Sequence, residues 1–329
     1  MKLDFNPQRN VTIFDHLLIR LNKINKINDL LIVSKIIKNW PTVLAFRIGL
    51  KKANFIMELR NGKRVRINNS NDYFSWWSTP EAHKILIKDN NKEIKVNKHK
   101  KIITFKFKNK IVYFLYDSYE QLTNTIGMID EQFIKEQYNW LDVKNKYAID
   151  IGANIGDTAI YFALNGAKHV YSFEPYPYSY KIASKNINLN KLQNKITLNN
   201  DGCSGKQGNI HINNDYKNFG GTDLKEFDNG NKIKLVTLKD IIDKFNIGYP
   251  AVLKVDCEGC EYDVLLKTKN SDLQKFKQIE IEYHYRYLNL KKKLESAGFT
   301  IKFTKPKYTF NKEADNNKMI IGMIYAERD

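Results

Sequence analysis

One stretch, Tyr147-Ala-Ile-Asp-Ile-Gly-Ala-Asn-Ile-Gly-Asp157, limits the fold of this chain more than any other. An apolar run ends in an acid, and Gly152 and Gly156 come next with three residues between them. The segment Thr158–Leu164 behind them is too apolar and too long to be a loop. Strand, tight glycine turn and buried helix in that order open a nucleotide-type α/β site.

Downstream of the turn the chain keeps the same rhythm. Apolar β-like runs at 147–151, 169–173, 195–199, 251–255 and 278–282 alternate with helical patterns, which predicts a parallel sheet covered on both faces. Asn165-Gly166 is a left-handed helix end, and Thr237-Leu-Lys-Asp240 is a helix-opening capping box. Residues 208–233, rich in Gly, Asn and Asp, read as irregular with room for a short hairpin. A helix over 287–297 stops at Gly298, and strands at 300–304 and 318–325 would close the sheet as an antiparallel pair.

The first part of the chain has a different texture. Ile13, Leu17, Leu21, Ile24, Ile27 and Leu31 recur at helical spacing, with Trp40-Pro41 as the expected stop, because a residue before proline avoids the helical region. Phe55–Leu59 and Arg64–Ile67 flank Asn61-Gly62 as a hairpin; Ile102–Phe107 and Ile111–Leu115 suggest another. The expected organisation is an α+β domain over 1–140, with a possible substrate or partner role, and an α/β domain over 141–329.

The net charge of +18 bears on the partners. The first 146 residues carry 27 Lys/Arg against 14 Asp/Glu, so most of the excess lies outside the glycine-turn half. Lysines alternating with aromatics on strands could grip single-stranded nucleic acid. The competing reading is a half-buried sheet with a solvated face in a Lys-, Asn- and Ile-rich composition. Cys203, Cys257 and Cys260 are too few for a disulfide framework, and they read as small buried side chains in a reducing compartment. With no signal pattern and no apolar run of membrane length, the expectation is a soluble cytoplasmic protein.

The glycine turn is unsuited to a pyrophosphate. Asn154 occupies the position of the middle glycine, and Asp150 and Asp157 would repel phosphate. They suit a ligand with positive charge, such as the ammonium and sulfonium groups of S-adenosylmethionine (SAM). Glu174, in Phe173-Glu-Pro175 at the end of the second strand, is placed to accept ribose hydroxyls. Asn200-Asp-Gly202, after the third strand, could meet an adenine amino group, though the tripeptide is also ordinary turn chemistry. Asp256, Glu258 and Glu261 cluster after the fourth strand, at the sheet edge where ligands of open α/β sheets sit.

Asp150-Ile-Gly-Ala-Asn-Ile-Gly-Asp157, Phe173-Glu-Pro-Tyr-Pro177, Val236-Thr-Leu-Lys-Asp240, Leu253-Lys-Val-Asp-Cys-Glu-Gly-Cys-Glu261 and Ile281-Glu-Tyr-His284, in this order, resemble the FkbM family of SAM-dependent methyltransferases. The resemblance covers about 130–329. Cys257 and Cys260 stand where the family more often has Val and Ala. It implies a class I, Rossmann-like fold with a seven-stranded, mostly parallel sheet and helices on both faces. It also implies methylation of hydroxyls on sugars, glycans or small metabolites. By the same resemblance Asp150, Gly152, Asn154 and Gly156 hold the methionine end of SAM and Glu174 its ribose, with Ala153, Asp157, Thr158 and Pro175 beside them.

Methyl transfer is an in-line displacement, so the protein must align nucleophile and methyl and remove a proton. Asp256, Glu258, Glu282 and His284 are the candidate bases; alternation puts Glu280, Glu282 and His284 on one face of the fifth strand. The acids could also hold a divalent metal, but nothing in the spacing fixes one. An RNA methyltransferase is the alternative function. Asp256-Cys-Glu-Gly259 stands where amino-group methylases place an Asp/Asn-Pro-Pro-aromatic run, and Cys257 does not come after a proline. The acidic turn disfavours a nicotinamide oxidoreductase.

Overall fold

The computed structural model describes residues 34–47, 50–60, 62–69, 72, 94–212, 230–309 and 319–329. One compact unit ends at Lys135 and another begins at Glu136. Among the described residues no helix is long and apolar enough to cross a membrane.

In the first unit the helical pattern at 13–31 lies outside the described residues. Residues 34–36 are helical, 37–39 are not, and helix α1 spans Trp40–Arg47, so the break comes just before Trp40-Pro41, which opens the next helix. Proline costs nothing in a first turn, where its missing N–H would have no helical partner. Strands β1 (Phe55–Glu58) and β2 (Arg64–Ile67) form the expected hairpin, with Met57 and Ile67 buried beside Ile36, Ile37, Val43 and Leu59. A second sheet joins β3 (Lys95–Asn97), β4 (Ile102–Phe107) and β5 (Lys110–Leu115) in antiparallel order. Its phenylalanines point inward: Phe105, Phe107 and Phe114 are buried, while Lys106 and Lys108 are exposed. Helix α2 (Tyr119–Ile129), capped by the Ser118 side chain, runs into a π-helical turn over Asp130–Ile134. That turn sets Phe133 against Phe105, Phe107 and Phe114, edge to face at 5.0–5.8 Å. Phe105, Phe107 and Phe114 are therefore core side chains of the unit and not a stacking surface.

The second unit is a seven-stranded mixed sheet. From one edge to the other it runs β8 (Ile196–Asn199), β7 (His169–Phe173), β6 (Tyr147–Ile151), β12 (Ala251–Val255), β13 (Phe276–Tyr283), β16 (Met319–Glu327) and β14 (Thr300–Phe303). The first five are mutually parallel and β16 runs antiparallel to both neighbours. The further strand β15 (Lys307–Thr309) pairs with another part of β16. Helices α3 (Asp157–Leu164), α4 (Pro177–Leu189), α5 (Leu238–Phe245), α6 (Cys260–Lys267) and α7 (Leu288–Ser296) make the connections. This is the class I, Rossmann-like fold expected from the sequence. Strands β10 (Gly208–Ile212) and β11 (Asn231–Val236) pair antiparallel, with β9 (Gly202–Cys203) on the other side of β11, and residues 213–229 of the expected irregular segment lie outside the described residues.

Strand alternation divides the sheet chemically. One face gives Ile149, Ile151, Leu253, Val255, Ile279 and Ile281 to a continuous apolar core shared with α5, α6 and α7. On the other, register aligns Ser172, Asp150, Lys254, Glu280 and Tyr325 in a row across five adjacent strands. The first four are buried and polar. Charge in the interior of a sheet is expensive, and the functional edge begins one residue further along.

Candidate active site

Both glycines of the turn are required by packing. Gly152 has φ +84, and a Cβ there would lie 1.7 Å from the Asp256 carbonyl oxygen. Gly156 has φ +82, and its Cβ would press on Ala183 of α4 at 3.3 Å. Asn154 also takes a positive φ, 44°, a conformation asparagine tolerates better than most side chains. The turn's amides are consumed internally. Gly152 and Ala153 donate to the Phe173 carbonyl, Asn154 to Glu174 Oε2, and Gly156 to the Ala153 carbonyl. A phosphate cradle needs such N–H groups free; here four of them are already used.

Glu174 sits at the end of β7, buried, with Oε1 accepting from the Tyr176 N–H at 2.9 Å and Oε2 from the Asn154 N–H at 2.8 Å. Burial pushes its carboxyl up to about 7, against the two amides that favour the charged form. Asn200 donates its amide to the carbonyls of Glu174 and Pro175, which fixes the β8 loop against the same strand end. Asp201 is half-buried next to it, and Gly202 begins β9. Asp157 opens α3 with Thr158 buried behind it, and desolvation moves the Asp157 carboxyl up to about 7.

Beneath the turn lies Lys254, 1 % exposed. Its Nζ is 3.1 Å from Asp150 Oδ1, 2.7 Å from the Gly152 carbonyl and 3.8 Å from Asp256 Oδ2. Burial alone would lower its pKa, but Asp150, Asp256 and Asp157 outweigh this and raise it, so the ammonium stays charged. Asp150 is fully enclosed, with Oδ2 accepting from Ser172 Oγ at 3.2 Å. In this structure Asp150 is thus engaged by Lys254 and Ser172, and it links to the turn through the lysine.

The acidic group predicted after β12 gathers with His284. Parallel pairing of β12 and β13 brings the two strand ends together. His284 Nε2 lies 3.2 Å from Glu258 Oε2 and 3.8 Å from Asp256 Oδ1, while Nδ1 lies 3.0 Å from Glu261 Oε1. Glu261 is fully buried and also accepts the N–H groups of Cys257 and Gly259. Burial opposes charge on the imidazole, yet Glu258 and Glu261 raise its pKa well above the usual range. Asp256 Oδ2 accepts the Tyr138 hydroxyl at 2.9 Å. Glu282 Oε2 accepts the Gln137 side-chain amide at 2.9 Å, so Glu282 belongs to the same edge. Glu280, one step of alternation deeper, is fully buried, neither carboxyl oxygen has a hydrogen-bond partner among the described residues, and burial pushes it up to about 9.

The cysteines differ from expectation. Cys203 is a buried free thiol, but Cys257 and Cys260 are joined by a disulfide. The bend that puts Glu258 at φ 57 and Gly259 at φ 123 folds the four-residue loop back on itself, with Cα atoms 5.5 Å apart. That separation is within disulfide range, and acidity of neighbours does not prevent it. Sequence reasoning also missed Lys254, Tyr138 and Gln137 as site residues. The last two fall before the boundary expected at 140, with no motif to mark them. A lysine inside an otherwise apolar strand was the available signal for Lys254.

Comparison with known proteins gives similarities over part of the chain. The stretch shared with one curated relative is short: 53 residues are 40 % identical to ribosomal protein L11 methyltransferase of Carboxydothermus hydrogenoformans, 16 % of this chain and 17 % of that one. The match thus spans under a fifth of the relative's length. Among solved structures, M. capricolum TrmK in complex with S-adenosyl-homocysteine aligns at TM-score 0.38 and 16 % identity, over 60 % of this chain and 68 % of that chain. Precorrin-6y C5,15-methyltransferase from Geobacter metallireducens aligns at TM-score 0.34 and 13 % identity, over 66 % and 94 %. Residues 150–303 match the methyltransferase FkbM domain model, a span from Asp150 in β6 to the end of β14 that takes in the glycine turn, Glu174, Lys254, the Asp256–Glu261 loop and His284. Over this span, a little under half of the chain, the sequence is similar to the FkbM methyltransferases.

Proposed function

We propose that this protein is a SAM-dependent O-methyltransferase acting on a hydroxyl of a sugar, glycan or small metabolite. The observation that carries the cofactor reading is the turn itself. Four of its amides are spent on Phe173, Glu174 and Ala153, and Asp150, Asp157 and Glu174 outnumber the one ammonium, Lys254, beneath it. Such a site repels phosphate and accepts hydroxyls and cations. SAM supplies an electrophilic methyl group on a sulfonium. In this reading Glu174 keeps a lone pair on each oxygen for the ribose hydroxyls, and Asn200 holds the neighbouring loop for the adenine. Asp150 and Lys254 keep the turn rigid from below.

The acceptor would lie over the ends of β12 and β13. A hydroxyl oxygen forms a bond to the methyl carbon as the carbon–sulfur bond breaks, and the hydroxyl proton passes to a carboxylate. Asp256 and Glu258 are the groups to receive it: both are partly open to solvent, whereas His284 is buried and held charged by its acidic neighbours. Glu282, tied to Gln137, shapes the same edge.

The test has two stages. Titration calorimetry should show SAM and S-adenosylhomocysteine binding and NAD silence; NAD binding without SAM binding would overturn the cofactor assignment. Cell extract incubated with protein and methyl-tritiated SAM should then place label in glycan or small-metabolite fractions, and label confined to nuclease-sensitive RNA would overturn the acceptor class. A cytoplasmic location belongs to the same proposal, and fractionation of the source cells checks it.

A further inference from the structure

Asp256, Glu258 and His284 each turn one ligand-type atom toward a common point, and these three atoms lie within 4.8 Å of one another. Two of the separations, 3.2 Å from Nε2 to Glu258 and 3.8 Å from Nε2 to Asp256, are close to the edge of a coordination polyhedron. With metal–ligand bonds of roughly 2.1 Å, neighbouring ligands of one ion stand about 3.0–3.4 Å apart. We propose that these residues bind a divalent transition-metal ion through Asp256 Oδ1, Glu258 Oε2 and His284 Nε2.

The surroundings of His284 and Asp256 hold one atom of each toward the centre. The Glu261 carboxylate, buried and anchored by the Cys257 and Gly259 amides, sits at Nδ1 of His284 and fixes the proton there. The ion takes the place of the Nε2 proton, and the Nε2 lone pair then faces it beside the two acids, the arrangement a carboxylate–histidine–metal relay requires. Asp256 uses Oδ2 for the Tyr138 hydroxyl and turns Oδ1 toward the imidazole. Glu258 rides on the loop closed by the Cys257–Cys260 bridge. Charge favours the same outcome. Lys254 is 3.1 Å from Asp150 but 3.8 Å from Asp256, so its charge goes mainly to Asp150. Two carboxylates and one imidazole select Mn²⁺, Fe²⁺, Co²⁺ or Zn²⁺ over Mg²⁺ or Ca²⁺, which prefer oxygen alone.

Three protein ligands leave coordination positions open. An acceptor hydroxyl on such a position would lose its proton more readily and be fixed in direction for attack. That role rests on the methyltransferase reading; occupancy of the site does not. Glu261 acts through His284 and is a positioning residue.

The experiment is Mn²⁺ binding to full-length protein stripped with chelator and passed into buffer without it, measured by electron paramagnetic resonance and calorimetry with no SAM present. The expected result is saturable binding of one ion per chain with release of about one proton. Glu258→Gln and His284→Gln should each weaken binding at least tenfold. Glu261→Gln should weaken it tenfold or more and alter the proton release, a change that simple loosening of the fold would not produce. Glu258 is partly exposed, so its variant keeps the test valid if a His284 variant fails to fold. Zn²⁺ competition should displace Mn²⁺. Absence of saturable binding at 1 mM Mn²⁺ or Zn²⁺, or undiminished binding by Glu258→Gln, would overturn the proposal and leave a protonated His284 as what fills the centre. Metal binding with SAM silence would retain the site and reject the methyltransferase reading; SAM binding without metal would do the reverse.

Discussion

Replacing Lys254 by methionine tests the organisation of the whole site, because one buried ammonium serves two carboxylates and the glycine turn. Methionine matches the stem in length and fills the same space, so the change isolates the charge. At 3.1 Å the Lys254–Asp150 attraction is about 5 kcal/mol with an effective dielectric of ~20. Removing one member of a buried pair generally costs about 3–5 kcal/mol, since the other charge stays behind in a medium that cannot solvate it. Asp150 would be that remainder, fully enclosed, with Ser172 left to hydrogen-bond it among the described residues. Lys254→Met should therefore lower unfolding free energy by about 3–5 kcal/mol in urea titrations of the full chain, with a shifted midpoint and unchanged slope. Asp150→Asn should lose a similar amount. The double variant Lys254→Met/Asp150→Asn should recover most of the loss, because no orphan charge remains. A Lys254→Met cost below about 1 kcal/mol, the size of an exposed ion pair, or strict additivity in the double variant, would refute the reasoning.

Three further outcomes rest on the same geometry. Glu280 takes up a proton more readily folded than unfolded, its pKa rising from 4.5 to about 9, so its contribution is full at acid pH and lost as pH rises through that window. Glu280→Gln should flatten the fall in thermal midpoint between pH 5 and 9 and raise the midpoint at pH 8; an unchanged slope would remove Glu280 as its source. Glu174 shifts from 4.5 to about 7, and its ionised form is the better acceptor for ribose hydroxyls. SAM affinity measured by calorimetry should therefore tighten severalfold from pH 6 to 8, and a flat profile would count against Glu174 at the ribose. Gly152→Ala would drive a methyl to 1.7 Å from the Asp256 carbonyl, beyond what local relaxation absorbs. It should cost more than about 3 kcal/mol, at the top of the range for overpacking, seen as loss of soluble protein or a midpoint drop, whereas Gly156→Ala, with 3.3 Å to Ala183, should be milder.

How much of this was legible in the sequence depended on whether a feature was local. Period-two and period-3.6 patterns located β6, β7, β12 and β13 and the helices between them because burial of one face selects those residues directly. The capping box at Thr237–Asp240 formed as written, since all its atoms lie within four residues. Trp40-Pro41 misled because proline is compatible with either side of a helix boundary, and nothing local says which. The aromatic strands at 102–115 could be read as platform or as core, and only Phe133, supplied by a π-helical turn more than ten residues later, decides for core. For the site, the acids and His284 were visible as residue types at strand ends. Their mutual aim was not, since it comes from Glu261 holding one ring nitrogen and Tyr138 holding one oxygen of Asp256. The cross-strand row of Ser172, Asp150, Lys254 and Glu280 needs register between separate strands, β6 and β12 among them about a hundred residues apart, which no single-segment pattern contains.

The bridge between Cys257 and Cys260 encloses a ring only four residues long. By chain statistics so short a loop removes about 2 kcal/mol of unfolded-state entropy, against about 4.7 for a loop of a hundred residues. Its influence is therefore confined to its own neighbourhood. What it restrains is Glu258, a residue with a full side chain in a left-handed conformation that an open loop would readily leave. Two preparations that melt within a few degrees of each other, one kept with thiol and one without, would then differ in where a single carboxylate points.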